Sequence, residues 1–295
     1  MTRTNDLLLT GLAPAIWGST YIVTSELLPA NYPITVALLR ALPAGLLLLA
    51  VVRLLPTGIW WGRVFLLGAL NFTIFWSLLF VAAYRLPGGV AATLAALQPL
   101  IVIFLAQMVL GSAVRALSVV AALAGLGGVA LLVLTPAAAL DPIGVAAGLG
   151  GALAMAAGTV LSRKWQPPVS LLTFTAWQLT AGGLLLLPLA LWLEPPLPRL
   201  SGENLMGLAY LSLIGAAVTY VLWFRGLSRI EPAALSALGF LSPVTAVILG
   251  WTLLGQGLSE PQIIGALGVL GSVWLAQMGG PAIGKATPNL KEMRT

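Results

Sequence analysis

The 295 residues of the chain are 59% hydrophobic and only 7% charged, whereas soluble domains are roughly 25% charged, so most of its surface must face lipid rather than water. The formal net charge is +6, but the basic residues are scattered between apolar runs and form no continuous patch of the kind that binds nucleic acid. Cysteine and histidine are both absent, which excludes disulfides, thiolate nucleophiles and imidazole bases, and we expect no metal and no cofactor.

Ten apolar runs follow one another along the chain, and each is long enough to cross a bilayer. A hydrocarbon core of about 30 Å requires roughly 20 apolar residues in a helix. The predicted spans are Leu7 to Leu27, Pro33 to Val52, Gly62 to Tyr84, Gly89 to Leu110, Leu117 to Leu134, Pro142 to Leu161, Val169 to Leu193, Asn204 to Arg225, Pro232 to Leu254 and Pro261 to Met278. The sequence therefore predicts an all-α membrane protein of about ten transmembrane helices.

The basic residues predict the orientation of the chain in the membrane. With the N-terminus in the cytoplasm, eleven of the fourteen basic residues lie on the inside. They are Arg3, Arg53, Arg63, Arg115, Arg163, Lys164, Arg225, Arg229, Lys285, Lys291 and Arg294. Only Arg85 and Arg199 lie outside, and Arg40 falls within a span. The positive-inside rule therefore predicts that both termini are cytoplasmic.

The second half of the sequence repeats the first. A shift of 144 residues carries Phe80 to Phe224, Arg85 to Arg229, Pro99 to Pro243 and Gly111 to Gly255. A shift of 138 residues carries Gly45 to Gly183 and places Arg40 opposite Gln178. We predict a five-helix repeat over residues 1–138, a second over residues 139–278 and a cytoplasmic tail over residues 279–295. Because five is odd, the repeats cross the membrane in opposite directions, an arrangement typical of carriers that open a central site to alternate sides.

Pro99 and Pro243 each fall near the middle of a predicted span, where we expect a helix kink. Proline removes one backbone donor and would free the carbonyl four residues earlier, at Ala95 and Gly239. Prolines also occur in ordinary membrane helices as packing features. A symmetric pair at bilayer depth nevertheless favours a substrate site, because carriers place substrate where discontinuous helices meet at the repeat interface.

Arg40 is a basic residue well inside a predicted span, where a charge costs a few kcal/mol unless it faces water or a partner. It is a candidate for binding a substrate carboxylate. The alternatives are that it extends to the membrane interface or pairs with Glu26. Gln178, at the matching position of the second half, could contact the substrate as a neutral donor and acceptor, or could serve only to hydrogen-bond two helices.

Further polar and aromatic side chains within the spans are candidate substrate contacts. The polar ones are Asn71, Gln98 and Ser242, and the last two directly precede the prolines. For serine the alternative is a bond to its own helix. The aromatic ones are Trp17, Trp76, Trp177 and Tyr220. Aromatic walls would suit an apolar or aromatic substrate, although large rings also fill the interior of any helical bundle.

An intramembrane enzyme and a channel are the competing functions. An enzyme would need paired acids, a histidine base or a Ser/Lys dyad at membrane depth, and the eight acids lie in the tails or at predicted span ends. A channel would need a ring of charges or a carbonyl filter. The residues therefore favour a carrier for small metabolites, with a lipid bilayer and a small-molecule substrate as its partners.

The residues also carry a resemblance to a known family. The segments LAPAIWGST (residues 12–20), AAYRLPGGVAATLAALQP (residues 82–99) and YLSLIGAAVTYVLWFRGLSRIEPAALSALGFLSP (residues 210–243) resemble the two EamA-type domains of the drug/metabolite transporter superfamily. Within it, the chain most resembles bacterial exporters of the YddG kind. One departure is Ala157, where relatives often have an aromatic residue.

This resemblance implies a non-enzymatic exporter in a bacterial inner membrane that works by alternating access. The substrates it implies are amino acids with aromatic or neutral side chains, with other small organic solutes or drugs as the alternative. The sequence is compatible with a monomer or a dimer.

Overall fold

The computed structural model describes residues 3–86, 88–133 and 141–278, and within these ranges it is helical without strands. By length and composition, ten helices of the described chain could cross a membrane. They are spans 1 to 10: Arg3–Leu27, Pro33–Val52, Trp60–Ala82, Ala92–Leu110, Ala116–Val133, Pro142–Lys164, Leu171–Leu193, Gly202–Arg229, Pro232–Leu254 and Glu260–Met278. The predicted fold class is confirmed. The predicted repeat boundary at residues 138–139 and the tail over residues 279–295 lie outside the described ranges.

Five of the spans are interrupted within the described chain. Span 1 consists of helices Arg3–Gly18 and Thr20–Leu27, and span 9 consists of Pro232–Leu238 and Leu241–Leu254. Span 4 comprises the end of helix Gly88–Ala95 and helix Gln98–Leu110. Spans 3 and 8 each contain a π-helical segment. It joins Trp60–Gly68 to Phe75–Arg85 in span 3 and Gly202–Ser212 to Thr219–Arg229 in span 8. Such irregular backbone at membrane depth occurs where it is enclosed by protein or lines a cavity.

The irregular segments recur at the interval of the sequence repeat. The π segments are Ala69–Ile74 and Leu213–Val218, 144 residues apart. Gly111 and Gly255, also 144 apart, both end a helix with a positive φ, of 69° and 64°. This left-handed conformation is the one that glycine adopts without the steric cost other residues meet. The two halves of the backbone therefore share the same irregular turns at equivalent positions, a similarity that hydropathy alone does not reveal.

Spans 2 and 7 pack closely through glycines that are related by the shift of 138. A Cβ atom on Gly45 would lie 2.8 Å from the carbonyl carbon of Leu179, and one on Gly183 would lie 2.8 Å from the Cα atom of Leu42. Small residues at such positions let two helix backbones approach each other. The contact places the second span of one repeat directly against the second span of the other.

Gly144 and Gly148 form a GxxxG motif on span 6 that packs inside the bundle. A Cβ atom at Gly144 would lie 2.7 Å from Leu86 Cγ, and one at Gly148 would lie 2.8 Å from Leu94 Cδ1. Both glycines therefore serve the packing of span 6 against the end of span 3 and the start of span 4.

The bundle has two faces, which are defined here by their loops. The N-terminal face carries the start of span 1 and the loops of residues 53–59, 111–115, 165–170 and 230–231. The opposite face carries the loops of residues 28–32, 194–201 and 255–259. On the N-terminal face the Arg3 guanidinium donates to the backbone carbonyl of Gln277, which joins the start of span 1 to the end of span 10.

Candidate functional site

A cavity of about 580 Å³ extends from the middle of the bundle to the opposite face. Its mouth is formed by the loop of residues 28–33, and its walls come from spans 1, 2, 3, 4, 6, 8 and 9. Residues of both repeats thus contribute to one space at their interface. A volume of a few hundred Å³ with mainly apolar walls is typical of sites for small organic molecules.

The guanidinium of Arg40 lies in the wall of this cavity, deep in span 2, and the residue is only 9% exposed. One terminal nitrogen donates to the carbonyl oxygen of Gly215 at 2.6 Å, and the Cζ atom lies 5.2 Å from the ring centroid of Trp76. No described carboxylate lies within 4 Å of Arg40. The contact with Glu26 considered from the sequence is therefore not formed, and the positive charge remains available to a ligand.

The π segment of span 8 supplies the carbonyl that holds Arg40. Gly215 lies within Leu213–Val218, and its oxygen also accepts the hydroxyl of Thr219 at 2.8 Å. A π turn changes the backbone pairing of an α-helix and is frequent at functional sites. One carbonyl of the irregular turn thus accepts two side-chain donors.

Aromatic rings form the wall beside the guanidinium. The ring of Trp17 lies 5.0 Å from that of Tyr220. Behind the wall, the fully buried ring of Phe72 lies 4.7 Å from Tyr220 and 5.4 Å from Trp76. The indole nitrogen of Trp17 donates to the hydroxyl of Thr219 at 2.9 Å, which fixes the ring orientation. The wall combines flat apolar surfaces with one adjacent cation.

Three donor-bearing side chains of the cavity have buried atoms without a hydrogen-bond partner. These atoms are Thr20 Oγ1, Arg40 Nε and Gln98 Nε2. Buried polar atoms are nearly always paired in proteins, and each exception calls for an explanation. A hydroxyl, a guanidinium and an amide can all donate a hydrogen bond, so these side chains offer donors beside the cavity.

The two prolines follow interruptions of their helices. Pro99 is the second residue of the helix that starts at Gln98, and Pro243 is the third residue of the helix that starts at Leu241. The carbonyl of Gly239 is not left free as the kink prediction implied, because it accepts the backbone N–H of Ser242 at 3.1 Å in a tight turn.

The structure brings six of the nine predicted contact residues to the large cavity and places three elsewhere. Those in the cavity wall are Trp17, Arg40, Trp76, Gln98, Tyr220 and Ser242. Asn71 and Gln178 instead pair with each other, Nδ2 to Oε1 at 2.8 Å. Trp177 donates its indole N–H to the carbonyl of Leu54 at 2.6 Å, near the N-terminal face.

A smaller cavity of about 250 Å³ lies toward the N-terminal face. Phe174 and Phe224 line it, with ring centroids 5.8 Å apart, and Phe224 lies 6.0 Å from Tyr220 of the larger cavity. The rings of Tyr220 and Phe224 thus separate the two spaces. The described conformation is open toward the opposite face and closed between the cavities.

An ion cluster closes the N-terminal face, and sequence reasoning missed it. Asp6 Oδ1 lies 2.6 Å from Arg225 NH2 and 3.4 Å from Arg229 NH1, although 219 or more residues separate the partners. The buried carboxylate of Asp6 therefore ties span 1 to span 8. The signal in the sequence is an acid at the start of an apolar run, but its partner could not be identified without the fold.

Two segments of the chain, residues 6–134 and 142–278, match the EamA-like transporter family. Each segment contains five of the described spans. A crystal structure of another protein superposes with a TM-score of 0.81 over 94% of this chain and 98% of that chain, at 22% sequence identity. That similarity establishes the shared fold of the two chains.

Curated relatives agree with the family match. Protein PecM of Dickeya dadantii is 45% identical over 267 residues, which cover 90% of each chain. The uncharacterized inner membrane transporter YedA of Escherichia coli K12 is 30% identical over 262 residues, covering 86% of this chain and 84% of YedA. The chain therefore belongs to the EamA-like transporter family and is a multi-pass membrane transporter.

Proposed function

We propose that the chain exports small metabolites that carry a carboxylate and an apolar or aromatic side group, with aromatic and neutral amino acids as the preferred class. The observation that carries this proposal is the position of Arg40 in the large cavity. Its guanidinium is held against Gly215 and Trp76, its Nε atom is unpaired, and no described acid lies within 4 Å of it. Such a cation binds carboxylates strongly.

The shape and composition of the cavity support an amino acid over a phosphorylated metabolite. Phosphate binding favours several clustered cations, whereas Arg40 is the one basic residue among the described residues of the cavity wall. The rings of Trp17, Trp76 and Tyr220 offer flat apolar surfaces to a side group. Other small organic solutes are the alternative class of substrate.

The orientation of the chain in this proposal follows from the positive-inside rule. The N-terminal face carries eight basic residues of the described chain, and the opposite face carries Arg85 and Arg199. We therefore infer that the N-terminal face and both termini are cytoplasmic. Because YedA is named as an inner membrane transporter, we place this chain in a bacterial inner membrane as well. Exchange of conformations between the inverted repeats would open the site first to the cytoplasm and then to the outside, so that a solute more concentrated in the cytoplasm leaves the cell.

The test is transport of a labelled panel by purified protein in liposomes. The panel contains phenylalanine, tryptophan, a neutral analogue without the carboxylate and a phosphorylated sugar. We expect saturable exchange of the amino acids. Replacing Arg40 with alanine should lower the rate for phenylalanine at least about tenfold, because a hydrogen bond to a charged group contributes roughly 1.5–3 kcal/mol. The neutral analogue should be affected much less.

Arg199→Ala is the matched control, because it removes a basic residue from a loop on the opposite face, away from the described cavity wall. It should leave all transport rates unchanged. Normal phenylalanine exchange by a stable Arg40→Ala protein would contradict the carboxylate site. Transport of the phosphorylated sugar without any amino acid would contradict the proposed substrate class.

A further inference from the structure

The two repeats place different side chains at equivalent positions of their interface. The shift of 138 relates Arg40 of span 2 to Gln178 of span 7, and the reciprocal packing of Gly45 and Gly183 supports this register. The shift of 144 relates Gly215 to Asn71, and the two π segments support that register. The contact of Arg40 with Gly215 and that of Gln178 with Asn71 are thus counterparts in the two halves.

The second contact is a cluster of three buried neutral side chains. Asn71 Nδ2 lies 2.8 Å from Gln178 Oε1 and 3.1 Å from Ser162 Oγ, and the hydroxyl of Ser162 lies 3.3 Å from Gln178 Oε1. Gln178 is fully buried, and its Nε2 atom has no hydrogen-bond partner. The oxygen and nitrogen of an amide can be assigned either way round. Even if both amides were turned over, Asn71 would contact only one of the two terminal atoms of Gln178. The cluster therefore has hydrogen-bonding capacity beyond what its own members use.

This cluster borders the smaller cavity near the N-terminal face. Ser162 lines that cavity directly, and so do Leu171 and Phe174 of span 7. Gln178 follows Phe174 by four residues and Leu171 by seven, so the three lie on one face of a continuous helix. Gln178 is thus one turn, about 5.4 Å, deeper in the bundle than the cavity wall.

We propose that Asn71, Ser162 and Gln178 form a second substrate-contact station, which binds the carboxylate through neutral donors when the pathway opens to the N-terminal face. The proposal rests on alternating access by the inverted repeats, in which the halves exchange conformations. In the described conformation the large cavity reaches Arg40, and the counterpart station is covered. After the exchange, the smaller cavity widens to reach Gln178.

The difference between the stations makes binding unequal at the two faces. Arg40 offers a charged donor, whereas the amide and hydroxyl groups of the second station are neutral, and neutral hydrogen bonds are weaker. A carboxylate substrate therefore binds more weakly from the N-terminal face than from the opposite face. This asymmetry changes the affinity at each face, whereas the net direction of transport follows the solute gradient, so it does not oppose export.

The first test measures the phenylalanine concentration that gives half-maximal exchange, separately at each face of the protein. The chain has no cysteine, so vesicles of each orientation can be separated by capturing Thr57→Cys, in the loop of residues 53–59 on the N-terminal face, with an impermeant reagent. We expect Gln178→Leu to raise the half-saturation concentration about tenfold at the N-terminal face and less than about twofold at the opposite face.

Thr180→Val is the matched control, because Thr180 is also a buried polar residue of span 7 with an unpaired hydroxyl but lines neither cavity. It should not change either value. Unchanged half-saturation at the N-terminal face in a stable Gln178→Leu protein would overturn the second station, and so would an equal change at both faces. If Arg40→Ala is silent while Gln178→Leu acts on one face, the carboxylate site at Arg40 fails and the second station stands.

A second measurement requires no transported solute. In Gln178→Cys, a small impermeant thiol reagent should react from the N-terminal face and not from the opposite face. Reaction from the opposite face alone would contradict the second station. So would the absence of reaction from either face when Ser228→Cys, at the wall of the smaller cavity, does react.

Discussion

Single glycines determine how closely the repeats approach each other. The Cβ atom of an alanine at position 183 would lie 2.7 Å from Leu42 Cβ and 2.8 Å from Leu42 Cα. Backbone atoms cannot move aside as the end of a flexible side chain can, so spans 2 and 7 would have to separate. The cost depends on the position, because other glycines, such as Gly127 on span 5, have nothing within 4 Å of an added Cβ atom.

We expect Gly183→Ala to lower the stability by about 1–3 kcal/mol, the usual cost of overpacking a close contact. Gly127→Ala is the control, because nothing lies within 4 Å of its added Cβ atom, and it should raise stability by about 0.5–1 kcal/mol through higher helix propensity. Thermal unfolding of the purified variants in detergent measures both. Equal melting temperatures for the two variants would show that the contact of spans 2 and 7 is not tight.

At the scale of elements, a loop carboxylate completes the N-terminus of span 2. Glu194 follows span 7, and its two oxygens accept the backbone N–H groups of Ile34 and Thr35 at 2.6 and 2.7 Å. The first N–H groups of a helix have no partner within the helix, and a negative charge there also favours the helix dipole. The loop thus fixes the start of the span that carries Arg40 at the mouth of the large cavity.

Replacing Glu194 with alanine should destabilise the protein by about 1 kcal/mol, the typical loss of a helix cap. The stability of Glu194→Gln should lie between those of the alanine variant and the native chain, because its one amide oxygen can accept only one of the two backbone N–H groups. Chemical unfolding followed by tryptophan fluorescence gives the order. A glutamine variant no more stable than the alanine variant would indicate that the charge, rather than the acceptor geometry, is what matters.

At the scale of the whole molecule, an ion pair lies at each face in related positions. Arg229 pairs with Asp6 on the N-terminal face, and Arg85, its counterpart at the shift of 144, lies 3.5 Å from Asp141 on the opposite face. The Asp6 side chain is 7% exposed and also contacts Arg225, whereas Arg85 and Asp141 are 45% and 36% exposed. The N-terminal face is therefore the more firmly closed of the two.

Asp6→Asn should open the N-terminal face, because removing one partner of a buried ion pair costs about 3 kcal/mol or more in the closed conformation. Asp141→Asn is the matched change at the exposed pair, and losing that pair should cost less than about 1 kcal/mol. The asparagine can still cap span 6 as Asp141 does. The rate of thiol labelling at Gln178→Cys, a position that is fully buried in the described conformation, reports the opening. Faster labelling with Asp141→Asn than with Asp6→Asn would show that the buried cluster does not close this face.

The sequence by itself determined the ten spans, the two repeats and the membrane environment, because each depends on local hydropathy or on spacing along the chain. It also identified Arg40, since a charge within an apolar run is visible without a fold. Only the tertiary structure decided that Asn71 and Gln178 bind each other, that Trp177 donates to Leu54, and that Asp6 closes one face. Those outcomes depend on which side chains of distant spans meet, and hydropathy carries no information about the partner of a polar group.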